Sequence, residues 1–97
     1  MLLKADMKTR VVHCKKEPYD IYIGRPSMWG NPYQLGIDGN RDVVLALYKT
    51  YIYTKLKQMP DFALRIKTLR GKTLGCWCSP LPCHGDILAE LADASEG

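Results

Sequence analysis

Lys72-Thr73-Leu74-Gly75-Cys76-Trp77-Cys78 reads as a buried strand, and the Ser79-Pro80-Leu81-Pro82 turn after it leads into a helix that starts near His84 or Gly85. That helix turns Ile87, Leu88, Leu91 and Ala92 toward a core. A strand of this kind needs partners on its edges and cover on its faces, which makes the chain an α/β domain.

The flanking sequence supplies both. Upstream, Phe62, Ile66 and Leu69 recur at helical spacing, with Asp61 as the expected cap and Gly71 as the stop. Before that, Asp38 or Asn40 caps a helix from about Arg41 to Gln58, which Pro60 ends. Its apolar face is Val44, Leu47 and Tyr51, widened by Leu45, Tyr48 and Ile52. Thr9–Cys14 and Tyr19–Gly24 are short, β-branched and aromatic, so both read as strands. Lys15-Lys16-Glu17-Pro18 joins them as a hairpin, which the third strand extends. The predicted order is β-β-α-α-β-α: a three-stranded sheet covered by helices, in two or three layers. The expected domain is the whole of 1–97, with tails at 1–8 and 93–97.

Composition fits this. A chain of 97 residues, 46% apolar and 25% charged, is one ordinary globular domain. No apolar run approaches the roughly 20 residues of a membrane helix. Met1, Leu2 and Leu3 meet Lys4, Asp6 and Lys8 at once, with no apolar run for an export signal, so the expected address is the cytoplasm. In a reducing compartment, three cysteines within eight residues, Cys76, Cys78 and Cys83, point to metal binding, catalysis or burial rather than disulfides. Residues 1–72 hold all 14 Lys and Arg against six acids, a net +8, whereas residues 73–97 are net −4. The basic body suits nucleic acid or a phosphorylated ligand, and equally an ordinary solvated surface.

Two segments could carry chemistry. In the first, Cys76, Cys78, Cys83 and His84 offer three sulfurs and a nitrogen, a donor set zinc accepts, although C-x-C-x4-C-H is not the usual pair of knuckles. Alternatively Cys83 is a nucleophile with His84 as its base, at a helix start whose free amides favour a thiolate. The plain alternative makes Cys76 and Cys78 small core hydrophobes, with Cys83 and His84 shaping a turn.

The second is the glycine- and proline-rich loop from Arg25 to Gly39, which directly follows a strand. Arg25 offers a fork for phosphate, Ser27 and Asn31 offer hydrogen bonds, and Trp29 offers a stacking face. The plain alternative pins the loop by burying Trp29. Neither a P-loop nor a dinucleotide fingerprint is present.

Tyr19-Asp20-Ile21-Tyr22-Ile23-Gly24-Arg25-Pro26-Ser27, Trp29-Gly30-Asn31-Pro32, Leu69-Arg70-Gly71-Lys72, Cys76-Trp77-Cys78 and, through Pro80 and Pro82, Cys83-His84-Gly85 together resemble the family called domain of unknown function 4326. The resemblance runs from about Val11 to Leu91, with His13 and Cys14 outside its motifs. It implies a bacterial or bacteriophage origin, hence the host cytoplasm, and no named reaction. The expected function is an accessory domain that binds a nucleotide, nucleic acid or other phosphorylated ligand through the Arg25–Pro32 loop beside the Cys/His cluster. A non-enzymatic binder of a host protein is the alternative.

Overall fold

A computed structural model describes residues 8–94. The strands are β1 (Arg10–His13), β2 (Ile21–Tyr22) and β3 (Thr73–Cys76), and the helices are α1 (Arg41–Gln58), α2 (Pro60–Lys67) and α3 (His84–Ala94), in the order β-β-α-α-β-α. Among the described residues no helix is long and apolar enough to cross a membrane.

β3 is the centre of a three-stranded sheet ordered β1-β3-β2, and both ladders are parallel. Leu74 faces Val11 on one side and Ile21 on the other. This corrects the expected hairpin: β1 and β2 never pair. Lys16 and Glu17 both donate to the His13 carbonyl, which coils the connection instead of reversing it into an antiparallel partner. Asp20 then fixes the return at the start of β3. Its N–H donates to the Thr73 carbonyl at 2.8 Å, and its carboxylate accepts from the Thr73 N–H at 2.8 Å. The chain therefore re-enters the sheet running in β1's direction.

The long helix forms where its sequence places it. The Asn40 side chain accepts from the Val43 N–H at 3.0 Å, one of the otherwise unpaired donors of a helix start. Its buried stripe is Val44, Tyr48 and Ile52, each one turn apart, while Leu47 and Tyr51 are only half-buried. Asp61 does not cap α2: Pro60 occupies the first turn, where a missing N–H costs nothing, and Met59 is the cap residue. α3 continues to Ala94, so Asp93 belongs to a helix rather than a tail. The Asp93 carboxylate accepts from the Thr9 hydroxyl at 2.6 Å and ties the helix end to the approach to β1. The outer parts of both expected tails, 1–7 and 95–97, lie outside the described residues.

One core joins the sheet to all three helices, through Leu74 and Cys76 of β3, Tyr48 and Ile52 of α1, Phe62 and Ile66 of α2, and Leu88 and Ala92 of α3. Gly75 points to the opposite face and meets the Tyr19 ring; a β-carbon there would lie 2.6 Å from it.

Candidate functional site

Both segments singled out in the sequence reach one pocket of about 230 Å3, at the end of β3 where α1 and α3 begin. A cleft beyond the carboxyl ends of parallel strands is where open α/β sheets commonly place ligands.

From the loop after β2 come Arg25 and Asn31. Arg25 is exposed and has no ion-pair partner among the described residues. Asn31 lines the pocket, yet its amide is already committed: its oxygen accepts from the Tyr33 N–H at 2.9 Å and its nitrogen donates to the Val44 carbonyl at 3.2 Å. The Ser27 hydroxyl accepts from the Trp29 N–H at 3.3 Å and lies outside the lining. Trp29 is buried against Phe62 with ring centroids 5.6 Å apart, so it presents no stacking face. The Tyr48 hydroxyl donates to the Trp29 carbonyl at 2.6 Å, and burial pushes that phenol well above its ordinary range. Trp29 anchors the loop; Arg25 is its free polar group.

From the other segment come Trp77, Cys78, Cys83 and His84. The His84 Nε2 lies 2.7 Å from the Ile23 carbonyl, which can only accept, so Nε2 carries the proton and Nδ1 is the acceptor, 3.5 Å from Cys83 Sγ. Burial lowers the imidazole's proton affinity, and nearby Arg25 lowers it further, against the opposing pull of the Ile23 carbonyl and Asp86. His84 is therefore a neutral base. Cys76 and Cys83 place their sulfurs 2.9 Å apart, and the Gly85 N–H donates to Cys83 at 3.3 Å. The hydrogen bond from Cys83 holds the Cys76 thiol below its ordinary value despite burial, helped by the backbone at Ser79 and Cys78. The same bond, with burial, pushes Cys83 far up. The pair thus shares one proton more tightly than the other. All four cysteines are free thiols.

Among the described residues no three His, Cys, Asp or Glu side chains gather as metal ligands. The strand stops at Cys76, so Cys78 lies beyond it on the pocket wall, and the His84 Nε2 is already bonded to the Ile23 carbonyl. What the arrangement offers instead is a hydrogen-bonded thiol pair, Cys76 and Cys83, beside the neutral imidazole of His84.

Sequence reasoning passed over Arg41, Tyr22 and Tyr33, which also line the pocket. Arg41 donates to the Pro82 carbonyl at 3.0 Å, joining the start of α1 to the turn before α3. A signal was present, because a cation in the first turn of a helix opposes the helix dipole and calls for another reason to be there. The lining contains two arginines and no carboxylate.

The family described as a domain of unknown function, DUF4326, matches residues 7–94 of the chain. The chain is 38% identical over 85 residues to the uncharacterised 12.4 kDa protein in the nrdA-td intergenic region of Enterobacteria phage T4, covering 87% of this chain and 77% of the phage protein. It is 31% identical over 90 residues to an uncharacterised protein of Acanthamoeba polyphaga mimivirus, covering 74% of this chain and 65% of that protein, slightly under two thirds of its length. No solved structure matches.

Proposed function

The chain belongs to the DUF4326 family, and from the chemistry of its pocket we propose that it binds a phosphorylated, nucleotide-like ligand there. The observation that carries this reading is the convergence of Arg25 and Arg41 on one pocket whose lining holds no carboxylate. Two guanidiniums with no ion-pair partner among the described residues favour an anion, and their planar forks match phosphate oxygens. Tyr22, Tyr33 and Trp77 supply ring surfaces for a base or sugar. His84 shares the lining and is neutral, so it offers a hydrogen-bond acceptor rather than a third charge. Ligand binding is the whole of the proposal, and Cys83 and His84 contribute to the lining.

Calorimetric titration with inorganic phosphate and with nucleoside monophosphates tests this. Arg25→Ala weakens binding about ten-fold or more, the scale of a lost charge-assisted hydrogen bond, and leaves the melting temperature nearly unchanged because Arg25 is exposed. Equal affinity in the variant and the parent overturns the assignment.

A further inference from the structure

We infer that the pocket is one end of a longer track, and that its ligand is a nucleotide within single-stranded nucleic acid whose neighbouring base stacks on Trp77. The inference rests on the reading of the pocket as a phosphate site. Trp77 lies just past the end of β3 and is 55% exposed, whereas the chain's other indole, Trp29, is 6% exposed. An indole left in water and yet held in place is unusual, and Trp77 is held. Its Nε1–H donates to the Tyr22 hydroxyl at 2.8 Å, and that hydroxyl donates to the Arg25 carbonyl at 3.1 Å. The platform is thereby fixed to the loop that carries the pocket's free arginine.

Trp77 has neighbours both in the pocket lining and outside it. It lines the pocket with Arg25 and Arg41. Outside the lining, His13 meets it edge-on at 5.8 Å between ring centroids, and the Lys15 ammonium lies 5.6 Å from its centroid. Lys15 and the adjacent Lys16 are exposed, and the neighbouring acid, Glu17, is paired with Arg10 at 3.4 Å. Cations in the pocket and just outside it, with a fixed aromatic ring among them, suit a chain with a charge at every link and a flat base between charges. A mononucleotide would use only the pocket. A duplex keeps its bases stacked on one another and offers none to an isolated ring or to a pocket of about 230 Å3.

The test compares a fluorescently labelled hexanucleotide, read by anisotropy, with a nucleoside monophosphate, read by calorimetry, using the full chain. The parent binds the hexanucleotide about ten-fold tighter than the monophosphate, the scale of one stacked base. Adding the unlabelled hexanucleotide quenches tryptophan emission, and Trp77→Leu abolishes the quenching because Trp29 is buried. Trp77→Leu and Lys15→Glu each weaken hexanucleotide binding several-fold, and Lys15→Glu leaves monophosphate binding unchanged. A hexanucleotide bound no tighter than the monophosphate, with Arg25→Ala still weakening both, overturns the track and keeps the pocket. Failure of both ligands to bind overturns the two readings together.

Discussion

The sulfurs of Cys76 and Cys83 lie 2.9 Å apart, joining the end of the central strand to the start of the last helix. Both are buried, at 1% and 2% exposure, whereas Cys14 and Cys78 are only half-buried. Accessibility and ionisation therefore point in opposite directions for Cys76, whose thiol is held below its ordinary value by its partner. A thiolate reacts only where a reagent can reach it. In native protein a bulky disulfide reagent modifies Cys14 and Cys78, and Cys76 and Cys83 respond only after unfolding. Peptide mapping of the labelled sites checks this, and rapid native labelling of Cys76 or Cys83 contradicts it.

The Tyr48 hydroxyl ties the buried stripe of α1 to the carbonyl of buried Trp29. Tyr48→Phe removes the donor and leaves that carbonyl without its partner. The expected loss is about 1–3 kcal/mol of unfolding free energy, the cost of an unsatisfied buried acceptor. Urea denaturation measures it, and a variant as stable as the parent contradicts the role.

The helices were legible because their signals are local. Asn40 caps within three residues and Pro60 interrupts within two of Gln58, so α1 needed nothing distant to define it. Strand direction was not legible. Parallel partners carry no turn signature, and the contact that decides the matter joins Asp20 to Thr73, 53 positions away. Trp29 and Trp77 are the same side chain, and only the packed core distinguishes the anchor from the exposed platform. The cysteine spacing correctly marked a strand-to-helix junction but said nothing of His84 reaching the Ile23 carbonyl, 61 positions away, which removes one nitrogen from any metal. That Arg25 and the Cys/His segment border one pocket is a product of the parallel topology, which brings the ends of β2 and β3 to the same edge.

Gly75 is paired with Val12 on one side and Tyr22 on the other, so the strand cannot shift to make room for a side chain. A β-carbon would lie 2.6 Å from Tyr19 Cγ, the root of the ring rather than its mobile end. Gly75→Ala costs about 1–3 kcal/mol, the range for overpacking. In a Tyr19→Ala background the same substitution costs much less, because the obstacle is gone. A double-mutant cycle by chemical denaturation reads the coupling, and additive effects contradict the contact.

His84 makes stability depend on pH in a defined direction. Burial, seconded by Arg25, lowers its folded pKa below the unfolded value of 6.5, against the Ile23 carbonyl and Asp86. As pH falls the unfolded chain takes up the proton first, and stability rises with pH wherever the unfolded state binds more protons. His84's contribution is therefore complete above about pH 6.5 and declines as pH falls below it. The slope is at most about 1.4 kcal/mol per pH unit for one proton. Denaturant melts of the parent and of His84→Gln from pH 7.5 to 5.5 isolate this part, since the two proteins differ only at that side chain. The parent loses stability more steeply than the variant across that window. Parallel slopes would mean that the imidazole is free to protonate in the fold, and its bond to the Ile23 carbonyl would then not set its tautomer.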